Sequence, residues 1–202
     1  MLPHNYRNFS PQYWEEKTLA PSAVLAYVGL RRKLDVPHHN IVVNGKWEEH
    51  FNSLFGQKRW PPPSSISYYV SVRSKSDPTV CPEDREALFF LIPVAPGLRD
   101  RERELKLAWW AVQDFLGEVE DVEFLKVFGP EDFERDYHAY MGTAFGLAHT
   151  LSQTASLRPP LRNRRLRNLY HVGQYTHPGV GVPMVVISAQ LVSGLILKNQ
   201  KN

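Results

Sequence analysis

The sequence predicts an α/β protein, with a mostly antiparallel sheet in its first half and helices in its second half. Two observations support this prediction. Short runs rich in Val, Ile, Tyr and Phe fill the first half and are separated by turn-forming residues. From about residue 99 the apolar residues recur every three or four positions instead, which is typical of helices that bury one face.

Four strands are predicted in the first half of the chain. Each run is bounded by Pro, Asn-Gly or Ser-Asp-Pro, which are turn signals. Because no long helical pattern separates the runs, the strands are expected to pair mostly antiparallel. The predicted strands are residues 22–30, 38–43, 65–73 and 87–94, and a short helix is predicted over 46–55.

Two amphipathic helices are predicted next. The first lies within "RDRERELKLAWWAVQDFLGEV" (99–119), and the second covers about 130–152, where Pro130 and acidic residues suit a helix N-terminus. Gly142 and Gly146 weaken the second helix, since glycine costs about 1 kcal/mol relative to alanine. They indicate close helix packing or a kink, or else a place where the backbone approaches a ligand.

Composition excludes several classes of protein. Hydrophobic residues make up 43% and charged residues 22% of the 202 residues, so wholesale disorder is excluded. Cys81 is the single cysteine, which allows neither an intrachain disulfide nor a thiolate metal site and favours a reducing compartment. His38 and His39 are adjacent and are expected to face opposite sides of a strand, so no metal site is predicted. The polar N-terminus does not resemble a signal peptide, and we expect a cytoplasmic protein.

A basic run lies between the predicted second helix and the C-terminal region. "LRPPLRNRRLRN" (157–168) contains five arginines and no acid. This run predicts either a solvated connector or a surface for anionic lipid headgroups. Nucleic acid is not expected as a partner, because no nucleic-acid-binding motif accompanies the run. The arginines are Arg158, Arg162, Arg164, Arg165 and Arg167.

The most apolar stretch, "GQYTHPGVGVPMVVISAQLVSGLIL" (173–197), allows three interpretations: a membrane span, a buried helix, or a corner that holds a cofactor. A span needs about 20 apolar residues, and polar residues and Pro183 interrupt this run, so a span is disfavoured. A buried strand is predicted over 168–175 and a buried helix over 184–197. Between them, Gly179 and Gly181 would expose backbone N–H groups at a helix N-terminus, which suits an anionic or flat ligand.

These residues carry a resemblance to a known family. "RDYHAYMGTAFGLAHTLSQTASLRP" (135–159) and "NLYHVGQYTHPGVGVPMVVISAQLV" (168–192) resemble the C-terminal part of bacterial and fungal-type phytoene desaturases, which are FAD-dependent carotenoid dehydrogenases of the amine-oxidase-like superfamily. "YWEEKTLAPSAVLAYVGL", "HHNIVV" and "SDPTVCPEDREALFFLIPVAPG" are similar to that family in order and spacing. The resemblance therefore covers nearly the whole chain.

The resemblance implies three segments and a missing part. Residues 1–125 would form the sheet and helix of an α+β substrate domain, 126–164 a helix and basic connector, and 165–202 the C-terminal strand, turn and helix of a Rossmann-like FAD-binding domain. The Gly-rich ADP-binding βαβ unit of the family is absent, because "GVGVPM" does not match G-x-G-x-x-G. The chain is therefore expected to be a C-terminal portion that needs an N-terminal FAD-binding portion as a partner.

The resemblance also implies the function and the site. The expected activity is FAD-dependent desaturation of phytoene or a related long polyene, at a peripheral membrane surface. The alternatives are a related flavin-dependent carotenoid or retinoid oxidoreductase or isomerase, and an inactive or partner-dependent fragment. His149 and His177 are candidates for contact with flavin or substrate, and no catalytic residue is assigned. The residues expected to bind FAD are Gly173, Gln174, Thr176, His177, Pro178, Gly179, Gly181, Val182, Pro183 and Met184.

Overall fold

A computed structural model describes residues 2–200, without the side chain of Gln200. The chain divides into two compact units. The terminal unit joins Met1–Ala20 to Phe145–Asn202, and the sheet unit is Pro21–Ala144. These boundaries differ from the expected segments 1–125, 126–164 and 165–202, and the assignment of segments to a substrate domain and a flavin domain stays a prediction.

The sheet unit contains one antiparallel sheet in the spatial order β2-β3-β4-β1-β5. All four predicted strands are confirmed, with ends shifted by up to three residues. The fifth strand was not predicted, because Glu123 and Lys126 interrupt its apolar pattern at the sheet edge. The strands are β1 (Ser22–Leu30), β2 (His39–Val42), β3 (Tyr68–Val72), β4 (Glu86–Val94) and β5 (Val122–Phe128).

One face of this sheet forms the hydrophobic core. The predicted helix over 99–119 is confirmed as α3 (Arg101–Leu116), and it begins after Asp100, whose carboxylate accepts a hydrogen bond from the Arg103 N–H at 3.0 Å. Its apolar side packs on the alternate residues of β1, β3 and β4. The short helix α2 (Trp47–Phe55) is also confirmed, and it buries His50, Ser53 and Leu54.

The predicted helix over 130–152 is wrong beyond its first two turns. Helix α4 covers only Pro130–Tyr137, and His138 adopts a left-handed conformation with φ 53°. Gly142 has φ 63°, and a Cβ atom there would lie 2.3 Å from the Pro130 carbonyl oxygen. Gly142 therefore allows a tight turn against the start of α4. The sequence pattern was misleading because apolar residues in compact 3-10 turns also recur about every three positions.

The described residues of the terminal unit form two α-helices, α1 (Pro11–Glu15) and α5 (Val182–Gln200). The predicted strand over 168–175 is not formed. That segment is irregular apart from an isolated antiparallel bridge between Arg162 and Tyr170. A buried strand needs neighbouring strands for its backbone hydrogen bonds, and the described part of this unit supplies only this bridge and a second one, between Leu19 and Leu147.

Helix α5 contains the predicted helix over 184–197 but is not the buried helix that was expected. Its segment Val182–Asn199 is only 11% buried and has a mean hydropathy of 1.5, so by length and composition it is long and apolar enough to cross a membrane. Length and composition alone do not distinguish a span from a helix that packs on protein. The prediction of a buried helix is therefore wrong for the described part of the chain, because no described segment covers most of these apolar side chains.

Candidate functional site

The turn before α5 is built from glycines in conformations that other residues rarely adopt. Gly173, Gly179 and Gly181 have φ angles of 119°, 142° and 113°, and the His177–Pro178 peptide bond is cis. Apart from the chain neighbours, no atom of the described residues lies within 4 Å of the position that a Cβ atom would take at Gly173 or Gly181. The backbone at these two glycines is therefore open to close approach by a ligand.

Arg158 stabilises this turn through hydrogen bonds from its side chain. Its side chain is buried, with only 3% of the residue exposed. The guanidinium donates hydrogen bonds to the carbonyl oxygens of Gln174 at 2.6 Å, Gln153 at 3.1 Å and Thr176 at 3.2 Å, and a longer one to Leu147 at 3.4 Å. Burial lowers the pKa of the Arg158 guanidinium from its usual value.

This burial corrects one part of the interpretation of the basic run. Arg158 does not contact lipid headgroups, because its donors are used inside the terminal unit. The sequence pattern predicted an exposed arginine because it shows only the charge of the run. It does not show the carbonyl groups that replace water around the guanidinium. Arg164, Arg165 and Arg167 are exposed, as expected for a surface connector, and Arg162 is half-buried.

His149 supports the other side of the turn. Its Nε2 accepts a hydrogen bond of 3.4 Å from the Val180 N–H. A Cβ atom at Gly179 would lie 2.7 Å from the same nitrogen, so only glycine fits against the imidazole. His149 therefore acts on the turn itself, whereas its expected contact with flavin or substrate stays a prediction.

Ser188 links α5 to the start of the turn by hydrogen bonds. Its hydroxyl is fully buried, accepts a hydrogen bond from the Gly173 N–H at 3.3 Å and lies 3.2 Å from Thr176 Oγ1. Thr176 Oγ1 also donates to the Gly173 carbonyl oxygen at 2.9 Å. These contacts fix where α5 begins relative to the glycines.

The structure brings the ten residues predicted to bind FAD together in one corner of the terminal unit. Thr176 and Gly179 are buried and support the turn, whereas Gly181, Val182 and Pro183 are exposed at the N-terminus of α5. His177 Nδ1 is buried and lacks a hydrogen-bond partner among the described residues. Open glycines, a helix N-terminus and an unsatisfied nitrogen are features that fit a flat, anionic cofactor. Gln174, Pro178 and Met184 are half-buried beside these residues.

A second candidate surface lies in the sheet unit, on the sheet face opposite α3. Strand pairing places Ile41, Tyr69, Leu91, Leu25 and Phe128 in one row across all five strands. We call this surface the open face. At one end of this row the Phe128 ring packs on α4, where it meets Phe133.

Aromatic side chains continue the open face beside this row. Tyr27 and Phe89 are directly paired, with ring centroids 5.4 Å apart, and the Phe124 ring lies over Gly29. Tyr27 remains 40% exposed and Phe124 56% exposed. Sequence reasoning missed this surface, although a signal was present: β4 is apolar at successive positions, which is typical of a strand covered on both faces.

The predicted orientation of the two adjacent histidines is wrong. The rings of His38 and His39 stack with centroids 4.0 Å apart. His38 precedes β2, so the alternation of side chains along a strand does not apply to it. His38 Nε2 lies 3.0 Å from Ser71 Oγ, and His39 Nδ1 lies 2.6 Å from the Tyr69 hydroxyl. Across the described part of the chain, no group of three or more His, Cys, Asp or Glu residues is placed to hold a metal ion.

The chain is similar in sequence to known proteins. A scan of protein-family models finds no match. The chain is 38% identical over 206 residues to a carotenoid 3,4-desaturase of Haloarcula japonica, a match that covers 98% of this chain. It is 34% identical to a 4,4'-diapophytoene desaturase of Staphylococcus haemolyticus over 96% of the chain, and 30% identical to a 4,4'-diapolycopene-forming desaturase of a Methylomonas species over 98%. By sequence, the chain belongs with the carotenoid and phytoene desaturases.

The match covers only part of each relative. The chain spans about two fifths of the length of these relatives, namely 41%, 41% and 40%. The resemblance seen in the sequence is therefore confirmed, and so is the expectation of a portion of a desaturase-type oxidoreductase. The activity of the whole enzyme is a proposal.

Proposed function

We propose that this chain forms the C-terminal portion of an FAD-dependent enzyme that desaturates phytoene or a related carotenoid precursor. The observation that carries this proposal is the match of nearly the whole chain to enzymes named as carotenoid desaturases. The corner before α5 and the open face give the proposal a physical basis, because one suits a flat anionic cofactor and the other a hydrocarbon.

The corner would hold FAD through its backbone. Gly173 and Gly181 leave open space where other residues carry a side chain, so a large planar group can lie against the chain. The N–H groups in the first turn of α5 favour negative charge beside Val182 and Pro183. When bound, FAD would supply the oxidation, since its reduction takes up the two electrons and two protons that leave the polyene as a C–C single bond becomes C=C.

The open face would orient the polyene and exclude water. Its aromatic and aliphatic rows offer contact by dispersion and by the hydrophobic effect, worth about 25 cal/mol per Å² of apolar area removed from water. Tyr27 and Phe124 are exposed enough to contact a ligand without unfolding the sheet. No residue of this chain is assigned as an acid or a base, since the cofactor carries the oxidation.

The exposed apolar surface of α5 would be covered by an N-terminal FAD-binding portion, which corresponds to the remaining three fifths of the relatives' length. An apolar helix that is exposed on nearly all sides is unfavourable in water, and packing in a Rossmann-like domain would bury it. We further propose that the assembled enzyme lies in the cytoplasm and associates peripherally with a membrane, where its hydrocarbon substrate dissolves.

The experiment that tests the cofactor is co-expression of this chain with an N-terminal half of a phytoene desaturase, followed by purification and measurement of visible flavin absorbance. We expect a bound-flavin band from the copurified pair and none from this chain alone. Val182→Glu, on a residue that is 81% exposed, should abolish the band by placing a carboxylate at the helix N-terminus, while the uncharged Val182→Gln should keep it. Copurified, folded chains without flavin would refute the cofactor site.

The experiment that tests the substrate uses the same pair with phytoene and follows the longer-wavelength absorbance of the product. Tyr27→Glu should abolish desaturation and leave the flavin band unchanged, because it puts a charge on the open face alone. Tyr6→Glu is a matched control, since Tyr6 has the same 40% exposure but lies in the terminal unit. Equal activity of the two variants would show that the open face does not bind the polyene.

A further inference from the structure

Helix α2 exposes three aromatic side chains on one side. Trp47, Phe51 and Phe55 stand four residues apart, a spacing that places them along one side of a helix. Trp47 and Phe51 are each 53% exposed and Phe55 is 41% exposed. The rings of Phe51 and Phe55 pack on each other, with centroids 4.8 Å apart. We call these three residues the aromatic row.

A pocket of about 340 Å³ lies between the segment that follows α2 and the helix α3. Trp60, Leu107 and the three prolines of 61–63 form its apolar wall, and the remaining lining residues are Arg59, Arg103 and Lys106. Only residues 56–58 separate α2 from Arg59, and α2 packs against the turn Pro63–Ser65. The pocket and the aromatic row therefore belong to one region of the sheet unit.

The charges favour an anion in the pocket. None of its eight lining residues is acidic. Each lining cation has a carboxylate partner outside the lining: Arg103 pairs with Asp100 at 3.1 Å, Arg59 reaches Glu49 at 3.9 Å, and Lys106 pairs with Glu102 at 2.5 Å. These are surface ion pairs, which contribute little to stability, so a phosphate can compete with them.

The shape suits a lipid surface. The three aromatic side chains protrude from the helix, with Trp47 and Phe51 53% exposed and Phe55 41% exposed. A fluid bilayer accommodates protruding aromatic residues at the level of its headgroups. The long side chains of Arg and Lys can carry their charges to headgroup phosphates.

We propose that the aromatic row and the cationic pocket together dock this chain on a membrane that contains anionic phospholipid. Trp47, Phe51 and Phe55 enter the interface, and a headgroup phosphate occupies the pocket beside Arg59, Arg103 and Lys106. This proposal rests on the membrane association given under the proposed function and names the surface that achieves it. The basic run of 157–168 stays a separate prediction of a lipid contact.

The test is cosedimentation of the chain with vesicles of phosphatidylcholine alone and of phosphatidylcholine mixed with phosphatidylglycerol. We expect tighter binding to the anionic vesicles by about fivefold or more, the effect of one or more cations near a charged surface. Trp47→Ser with Phe51→Ser should weaken binding to both vesicles by about fivefold or more. Arg59→Glu with Lys106→Glu should remove the preference for anionic vesicles. Circular dichroism and thermal unfolding establish that each variant is folded.

A control separates this surface from the exposed helix α5, which can also bind lipid. Val186→Ser with Leu191→Ser makes α5 more polar and should change vesicle binding by less than about twofold. Loss of binding in this control, with full binding in the aromatic-row variant, would overturn the proposal. So would equal binding of the wild-type chain to both vesicles, or no binding to either. None of these measurements uses flavin or polyene, so they can fail while the proposed enzyme activity holds.

Discussion

Replacing Arg158 should loosen the turn that carries the candidate cofactor corner. Arg158→Met keeps an apolar stem of similar length and removes every donor of the guanidinium. Three carbonyl oxygens within 3.2 Å lose a charge-assisted hydrogen bond, namely those of Gln153, Gln174 and Thr176. The variant therefore tests whether a buried cation, and not the glycines alone, fixes the turn.

The magnitude follows from these contacts. Leaving a buried acceptor without a partner costs about 1–3 kcal/mol, and water or rearranged backbone N–H groups recover part of that cost. For three acceptors we expect a loss of about 3–5 kcal/mol in the free energy of unfolding of the terminal unit. Arg158→Lys keeps the charge but not the planar fork of donors, so it should lose less than Arg158→Met.

Urea unfolding measures this loss, and amide hydrogen exchange locates it. We expect faster exchange at Thr176 and Val185, whose N–H groups close the turn and the first turn of α5. Arg165→Ala is the control, because Arg165 is exposed in the same basic run and should change stability by less than about 0.5 kcal/mol. An Arg158→Met protein with the unfolding midpoint and exchange rates of the wild type would refute the reasoning.

Three further predictions concern the sheet unit. Burial lowers the pKa of His50, so the unfolded state binds a proton at a higher pH than the folded state does. The free energy of unfolding should therefore fall as the pH drops below about 6.5, and urea titrations should show a smaller fall in His50→Gln. Tyr68 is buried and donates a 2.6 Å hydrogen bond to Asp114, so Tyr68→Phe should lower the free energy of unfolding by about 1–2 kcal/mol in urea titrations. Gly142→Ala should lower the free energy of unfolding by about 2–4 kcal/mol in the same assay, because of its positive φ and a clash with the Pro130 carbonyl. Wild-type behaviour of a variant would contradict the prediction made for it.

The sheet unit was predictable because its signals are local. β1 and β4 are long apolar runs bounded by turn residues, and α3 has a clear helical period and an Asp cap. β5 was missed because it pairs at a sheet edge, where charged residues interrupt the pattern. Pairing with β1 stabilises it, and that long-range contact leaves no trace in a short window of sequence.

The terminal unit was less predictable because its structure depends on contacts far apart in sequence. The glycines of the corner and the start of α5 were read correctly as a turn and a helix N-terminus. The supports of that turn were not foreseen, since an arginine in a basic run is usually exposed. Arg158 is buried here because the carbonyl groups of two separate segments converge on it, as Gln153 and Gln174 illustrate.

Both units expose apolar surface. In the sheet unit, β4 is apolar at successive positions while only one face packs on α3, and in the terminal unit α5 is apolar on nearly all sides and 11% buried. Such surfaces are costly in water and usually mark binding sites. Under the proposed function, a polyene would cover the open face and a cofactor-binding portion would cover α5. A polyene would have to leave after each turnover, so the open face is expected to stay partly exposed, whereas α5 could be buried permanently.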